Sequence, residues 1–226
     1  MSVNPVKLVK RYFRKKKEHE VFTQSSNEEI FNFIYENNKW GDGDTRSGRG
    51  SNLDRTKDLR EELPNILKKL EVRCLLDIPC GDFFWMKEID LEVESYIGAD
   101  IVASLIESNS RLYGNELRRF MHLDLLHDSL PQADAILCKD CLVHLSFEDI
   151  NLAIKNIKTS AAQFLFATHF PELQVNEDIL TGKHRPLNMC KPPFEWSAPM
   201  AEIVKYGSGA KKGSKHLSIW RIADLP

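Results

Sequence analysis

Three aspartates close three separate apolar runs of the chain. Asp77, Asp100 and Asp124 end successive runs, and Asp82 follows shortly after the first of them. If the runs are neighbouring strands, these carboxylates share the edge of a sheet where ligands bind in open α/β folds. Such a row would repel a pyrophosphate and favour a positively charged ligand with hydroxyl and amino donors. The alternative is that the aspartates only cap the helices that follow them.

A second group of polar side chains follows the next two apolar runs. Asp140 and His144 lie four residues apart after the fourth run, and His169 comes directly after the fifth. Histidine titrates near neutral pH, so His144 is a candidate general base that Asp140 could orient. His169 could be a second base, or could hold a divalent metal together with the other two. A satisfied structural histidine is the alternative at both positions.

The apolar runs alternate with helical segments. Seven runs are predicted as strands, and the first five are continuously apolar, as in strands buried on both faces of a sheet. They are Arg73–Ile78, Ser95–Asp100, Arg119–Asp124, Ala133–Cys138, Gln163–Thr168, Ala201–Tyr206 and His216–Ile222. The intervening helices are predicted over Phe83–Ile89, Ala103–Tyr113 and Phe147–Lys158. This alternation predicts an α/β, doubly wound, Rossmann-like sheet that is mostly parallel. The loop before the seventh run is too short for a crossover helix, so the sheet should end in a C-terminal antiparallel hairpin.

The chain ahead of the first strand is predicted to have two parts. A basic arm over 1–22 carries seven lysines and arginines between Lys7 and Lys17, and a helical cap over 23–72 follows it. The core domain then spans 73–226. The arm could contact an acidic membrane surface or a partner protein, or it could be a solvated terminal helix.

The cap is predicted to contain two helices and a lid. Apolar spacing indicates a helix within Asn27–Trp40 and another from about Leu53 to Leu70, which Pro64 would bend or split. Two long irregular segments, Thr45–Arg55 and Thr181–Trp196, are expected to fold over the carboxyl edge of the sheet as lids.

Bulk composition excludes several classes of protein. With 31 basic and 33 acidic residues among 226, the net charge is −2, so there is no global field to attract nucleic acid. No apolar run approaches the ~20 residues of a membrane helix. Five cysteines at irregular positions suit a reducing compartment. We therefore expect a cytoplasmic protein without a transmembrane segment, of unknown oligomeric state.

Four segments resemble the successive motifs of class I S-adenosylmethionine-dependent methyltransferases. They are Asp77-Ile-Pro-Cys-Gly-Asp82, Tyr96-Ile-Gly-Ala-Asp-Ile101, His122-Leu-Asp-Leu125 and the stretch from Ile136 to Ser146. The resemblance extends from about Leu53 to the C-terminus and implies S-adenosylmethionine as the cofactor. It departs from the usual glycine-rich first motif at Pro79 and Cys80.

The resemblance also implies the cofactor-binding residues. Asp100 would accept hydrogen bonds from the ribose hydroxyls, and Asp124 would accept one from the adenine amino group. The full set is Asp77, Pro79, Cys80, Gly81, Asp82, Trp85, Asp100, Ile101, Asp124, Leu125 and Cys138.

A narrower resemblance concerns the acceptor. The Pro-Cys-Gly-Asp-Phe-x-Trp and Leu-Val-His-Leu-Ser motifs are similar to those of small bacterial methyltransferases that O-methylate sugars such as heptoses for capsules and surface polysaccharides. Trp40 to Ser51 and Arg185 to Asn188 fit this group too. The resemblance implies a nucleotide-linked sugar as acceptor, with Trp40, Arg46, Arg185 and Asn188 as its binding residues. Arginine suits phosphate because its planar fork of donors matches the oxyanion.

Other functions stay open at this level. The acceptor could be a different small metabolite or a nitrogen atom, and the chain could bind the cofactor only as a scaffold. An NAD-binding oxidoreductase is a different class, disfavoured because the three-glycine fingerprint is missing and the strand ends are acidic. Whether a divalent metal takes part is unknown.

Overall fold

The computed structural model describes residues 16, 18–41, 43–203 and 214–226. Most of the basic arm predicted over 1–22 lies outside this range. So do residues 204–213, on which the end of the strand predicted over Ala201–Tyr206 and the loop predicted after it fall. Within the described ranges, no helix has the length and apolar character required to span a membrane.

The sheet has seven strands in the order β3-β2-β1-β4-β5-β7-β6. The strands are β1 (Cys74–Asp77), β2 (Ser95–Asp100), β3 (Arg118–His122), β4 (Ala135–Cys138), β5 (Phe164–His169), β6 (Ala201–Ile203) and β7 (His216–Arg221). The first five run parallel, while β7 pairs antiparallel with both β5 and β6. The predicted doubly wound sheet with a closing antiparallel pair is confirmed. Strand order reverses between β1 and β4, which is where open α/β sheets bind ligands.

Helices cover both faces of this sheet. They include α1 (Asn27–Glu36), α2 (Lys57–Lys69), α3 (Ala103–Tyr113) and α4 (Phe147–Thr159), and residues 18–24 are also helical. A capping box fixes the start of α1, because the Ser26 hydroxyl accepts from the Glu29 N–H and the Glu29 carboxylate accepts from the Ser26 N–H. At the start of α4, the Ser146 hydroxyl makes one such capping hydrogen bond and accepts from the Asp149 N–H.

Which residues form the core follows from the side-chain periodicities of helices and strands. Successive β1 residues point to opposite faces, so Leu75 packs with α2 and Leu76 packs with α4. The α2 leucines Leu59, Leu63 and Leu67 recur every four residues and are completely buried. Burying each stabilises the fold by about 1.5–3 kcal/mol. This packing fixes the positions of the strands whose ends form the site.

Three local predictions were wrong. The segment Phe83–Ile89 is not an α-helix but contains only the 3₁₀ turn Met86–Glu88. Phe83 itself has a left-handed backbone with φ 58°, so a right-handed helix cannot begin at that residue. Pro64 does not split α2, which continues through it, so that half of the prediction is wrong, while a bend at Pro64 stays a prediction. Strand β3 ends at His122, so Asp124 lies two residues beyond it.

Candidate functional site

A cavity of about 380 Å³ opens at the carboxyl edge of the sheet, beside the point where strand order reverses. Its walls are the residues that follow β1, β2 and β4, one face of α1, and the glycine-rich lid Arg46–Ser51. Its volume lies in the range typical of ligand sites. Nine of the eleven predicted cofactor-binding residues line it, namely Asp77, Pro79, Cys80, Gly81, Trp85, Asp100, Ile101, Asp124 and Leu125.

Two buried carboxylates stand at the centre of this wall. Asp77 accepts a hydrogen bond of 2.6 Å from the Tyr96 hydroxyl, and burial raises the pKa of Asp77 to about 7. Asp100 accepts from the backbone N–H groups of Gly81 and Val102, each at 3.1 Å. Burial raises the pKa of Asp100 to about 6, against the opposing effect of those N–H donors. Both groups are held in place by hydrogen bonds.

The helix-capping alternative does not describe these carboxylates. Helix α3 begins after Val102 without any side-chain cap. Asp124 accepts from the Leu126 N–H at 2.8 Å and from the His127 ring at 2.8 Å, which fixes a local turn that still borders the cavity. The acidic row is therefore part of the cavity wall.

Asp82 and Cys138 lie outside the cavity, contrary to the sequence prediction. The Asp82 carboxylate accepts from the Thr45 hydroxyl at 2.7 Å, the Arg46 N–H at 2.9 Å and the Ser47 hydroxyl at 2.9 Å. Through these hydrogen bonds, Asp82 holds the lid over the edge of the sheet. Cys138 is completely buried in the core among strand side chains.

His144 lines the cavity at the end of the 3₁₀ turn Leu142–His144. Its Nδ1 lies 2.8 Å from the carbonyl oxygen of Lys183, which can only accept, so Nδ1 carries the proton. Burial, with His184 nearby, lowers the pKa of His144 to about 4. The ring is neutral at pH 7, and its unprotonated Nε2 has no hydrogen-bond partner within the described ranges. The ring also stacks on Trp40, with centroids 4.2 Å apart.

The sequence suggested that Asp140 orients His144, but the hydrogen bond of His144 Nδ1 is to the Lys183 carbonyl oxygen instead. The Asp140 carboxylate pairs with the ammonium groups of Lys139 at 2.9 Å and Lys215 at 2.6 Å. Burial raises the pKa of Asp140, but the two ammonium groups outweigh burial and hold that pKa well below its usual range. Thr168 adds a hydroxyl donor at 3.0 Å. This carboxylate is therefore a partner of two cations.

His169 is not among the residues that line the cavity, and its role as a second base stays a prediction that this placement does not support. It is buried, its Nδ1 accepts from the Met189 N–H at 3.2 Å, and its ring packs edge-on against Trp220. The described part of the chain holds no group of three His, Cys, Asp or Glu side chains suited to a metal ion. The suggested set of Asp140, His144 and His169 is not assembled.

The predicted acceptor residues divide into two pairs. Trp40 and Arg46 line the cavity, and the Arg46 guanidinium lies 5.0 Å from the centre of the Tyr35 ring. Arg185 and Asn188 do not line it. Both are buried, because they satisfy backbone carbonyl groups of the surrounding loops.

Arg185 instead clamps the turn that carries His144. Its guanidinium donates to the carbonyl oxygens of Leu142 at 3.0 Å, Leu145 at 2.8 Å and Glu177 at 2.9 Å. Asn188 donates to carbonyl groups at 171 and 173 and so shapes its own loop. The structure thus gives both residues a place in the loops, and their binding of the acceptor stays a prediction.

Sequence reasoning missed the lysines of the site. Lys139 and Lys215 both line the cavity. The position of Lys215 could have been predicted from the sequence, because the residue directly precedes β7. An antiparallel β7 begins at the same edge of the sheet where β5 ends, so Lys215 lies at that edge. The pairing of His169 with His216 shows this register. The contact of Lys139 with the lid, 3.1 Å to the Gly50 carbonyl oxygen, joins distant segments and had no local signal.

Comparison with known proteins identifies the fold. No protein-family model and no curated protein sequence matches the chain. Among solved structures, the chain resembles the magnesium protoporphyrin IX methyltransferase of Synechocystis with bound S-adenosylmethionine, at 13% identity and a TM-score of 0.57, covering 87% of this chain and 97% of that one. It also resembles the N-methyltransferase NodS of Bradyrhizobium japonicum, at 16% identity and a TM-score of 0.50, covering 75% of this chain and 98% of that one. The chain thus has the Rossmann-like methyltransferase fold.

Proposed function

We propose that the chain is an S-adenosylmethionine-dependent methyltransferase that acts on a hydroxyl group of a nucleotide-linked sugar. The observation that carries this proposal is the row of carboxylates Asp77, Asp100 and Asp124 along one wall of a cavity at the switch point of a methyltransferase fold. That wall suits a phosphate-free adenosine derivative with positive charge. It would repel the pyrophosphate of a dinucleotide.

The residues present fit this cofactor. Two backbone N–H groups aim the Asp100 carboxylate, which would accept from the ribose hydroxyls. Asp124 would accept from the adenine amino group, between the apolar side chains of Ile101 and Leu125, which also line the cavity. Gly81 has a φ of 56°, a left-handed conformation that glycine adopts without steric cost, and it makes the tight turn after β1.

The chain's own residues would position the acceptor and remove its proton. When bound, the cofactor supplies an electrophilic methyl group carried on a sulfonium. His144 accepts the hydroxyl proton at Nε2, since the Lys183 carbonyl oxygen holds the Nδ1 proton. The lowered pKa of His144 keeps the ring neutral at pH 7 and favours release of the proton to water, and it also makes the ring a weaker base than an ordinary imidazole. Alignment of the acceptor contributes the larger share, about 7–11 kcal/mol in well-oriented systems.

The sugar acceptor is supported by the narrower motif resemblance and by two side chains. Trp40 offers an aromatic wall next to His144, and Arg46 offers a planar cation to a phosphate. The cap residues 23–72 contribute both, so we assign acceptor recognition to the cap and cofactor binding to the core over 73–226.

Calorimetry tests the cofactor. S-adenosylhomocysteine should bind the wild-type chain and NADH should not, and Asp100→Asn should weaken the binding. An exposed aspartate provides the control variant, Asp54→Asn. Binding of NADH in preference to S-adenosylhomocysteine would make the chain an oxidoreductase. With binding established, nucleotide-linked sugars are screened with methyl-labelled cofactor and products identified by mass.

A further inference from the structure

The lid Arg46–Ser51 is joined to the turn after β1 by a reciprocal set of hydrogen bonds. Asp82 Oδ2 accepts from the Thr45 hydroxyl and from the Arg46 N–H, and Asp82 Oδ1 accepts from the Ser47 hydroxyl. The same Ser47 oxygen accepts from the Asp82 N–H at 2.8 Å. Asp82 therefore makes four hydrogen bonds to three consecutive residues that lie 35 to 37 positions earlier in the chain.

The lid lies directly on the backbone of this turn. A Cβ atom on Gly81 would collide with the Ser47 side chain, so a residue without a side chain is required at this contact. The other end of the lid also contacts the sheet, because the Lys139 ammonium donates to the Gly50 carbonyl oxygen at 3.1 Å. The lid thus crosses from the end of β1 to the end of β4, over the point where strand order reverses.

The opposite side of the same turn belongs to the proposed cofactor wall. Gly81 lines the cavity, and its N–H donates to Asp100 Oδ2 at 3.1 Å. Asn109 of α3 is only 3% exposed, and its side-chain amide donates to the Gly81 carbonyl oxygen at 2.8 Å. Both polar groups of the Gly81 backbone are therefore held by the core. The position of the adjacent Asp82 consequently depends on the wall that would hold the cofactor.

The lid in turn carries residues that would meet the acceptor. All six of its residues line the cavity, and Arg46 is the cation that we assign to a phosphate of the acceptor. The Arg46 side chain is exposed and lies over the Tyr35 ring. Because Asp82 binds the N–H of Arg46 itself, it fixes the backbone from which the guanidinium extends.

We propose that Asp82 is a positioning residue that makes acceptor binding depend on the cofactor. A cofactor held by Asp100 and Gly81 restricts the turn, the restricted turn holds the lid closed, and the closed lid presents Arg46. The acceptor site is complete only on the cofactor-bound chain, so the cofactor binds first. Such coupling is reciprocal, so a bound acceptor raises cofactor affinity by the same factor. This inference rests on the proposed function, since it describes how the same site is assembled.

Hydrogen–deuterium exchange of the lid, followed by mass spectrometry, tests this coupling without an acceptor. In the wild-type chain, saturating S-adenosylhomocysteine should slow exchange of the lid amides about 5–150-fold, the range typical of coupled sites. Asp82→Ala should speed this exchange roughly 10–100-fold, because hydrogen bonds to a charged group are lost. In that variant, S-adenosylhomocysteine at a concentration that calorimetry shows to be saturating should no longer slow it. Exchange in α4 should be equal in both chains, which shows an intact core.

Ser47→Ala is the matched variant, because it removes two of the four hydrogen bonds from the lid side and leaves the turn after β1 unaltered. It should also speed lid exchange. The effects of Ser47→Ala and Asp82→Ala should not add in the double variant, since both residues act through one contact. Asp82→Asn keeps a side-chain oxygen and should retain part of the protection. Asp224→Ala removes an exposed carboxylate and is the control.

Two results overturn the coupling while leaving the proposed function in place. One is lid exchange that is the same in Asp82→Ala as in wild type. The other is a chain that binds S-adenosylhomocysteine and whose lid exchange slows equally in both, or in neither. If exchange in α4 also rises in Asp82→Ala, the comparison is made with Ser47→Ala instead. If calorimetry shows that the wild-type chain binds no S-adenosylhomocysteine, the proposed function itself fails and the coupling fails with it.

Discussion

Burial shifts the titratable groups of the cavity toward their uncharged forms. It raises the pKa of Asp77 and Asp100 and lowers that of His144. Asp140 is the exception, because two lysines compensate its charge. Perturbed groups gathered in one cleft are typical of functional sites. Asp140 is ionised and pairs with the lysines, whereas His144 is neutral and can accept a proton.

Replacing His144 tests its role as the proton acceptor. His144→Ala should lower kcat by about 10²–10⁴-fold, since general-base catalysis contributes that much. Affinity for S-adenosylhomocysteine should stay unchanged, as the carboxylate wall is intact. The exposed His19→Ala provides the control. Steady-state kinetics with the identified acceptor is the measurement, and near-normal turnover of His144→Ala would exclude the histidine as base.

The sequence predicted the positions of individual site residues best where the strand pattern alone determines them. Asp77 and Asp100 are the last residues of β1 and β2, so their place at the edge follows from the strand pattern. Asp82 and His169 also lie at strand ends or turns, yet distant loop groups hold them away from the cavity. These hydrogen-bond partners are brought close only by tertiary packing, which the spacing of residues along the sequence does not indicate.

Among the elements, the 3₁₀ turn Leu142–His144 depends on the segment 182–185 for its shape. The Gly182 N–H donates to the His144 carbonyl oxygen, and the Arg185 N–H donates to that of Val143. The Arg185 guanidinium satisfies carbonyl oxygens on both sides of the turn. The second irregular segment thus fixes the proposed base rather than the acceptor.

Arg185→Gln separates these roles. We expect a loss of unfolding free energy of about 1–3 kcal/mol for each buried carbonyl left unpaired. We also expect a lower kcat with little change in the KM of the acceptor, because His144 is displaced. Urea unfolding and kinetics measure the two effects, with the exposed Arg111→Gln as control. A raised acceptor KM with unchanged stability would instead restore the binding role predicted from sequence.

Elements were predictable where apolar periodicity is strong. The seven strands and α2, α3 and α4 follow from it. The helix prediction for Phe83–Ile89 was wrong because the apolar residues of this segment are core side chains of an irregular turn. Apolar content alone does not distinguish such a turn from a helix. The left-handed backbone of Phe83 also has no signal in its residue type.

At the scale of the whole molecule, the acidic cavity wall opposes folding stability. The raised pKa of Asp77, about 7 against an ordinary 3.8, means that the folded state binds its proton more tightly than the unfolded state. Unfolding free energy therefore falls as pH rises from about 4 to about 7, and it stays lower above that range.

Asp77→Asn should remove this cost. At pH 8 we expect the unliganded variant to be more stable than wild type by an amount on the order of a few kcal/mol, and at pH 4 the difference should nearly vanish. Urea unfolding across this pH range measures it, with Asp54→Asn as control. A variant that is equally destabilised at both pH values would mean that the Tyr96 contact, rather than ionisation, dominates at this site.

The stacking of Trp40 on His144 gives the chain an internal optical probe. A protonated imidazole quenches indole emission far more than a neutral one, so the fluorescence of this indole should report the charge of the neighbouring ring. Since Trp40 is one of four tryptophans, the difference between wild type and Trp40→Phe isolates its signal. Movement of the cap away from the sheet would separate the rings, and opening of the cavity could then be followed in real time without any attached dye.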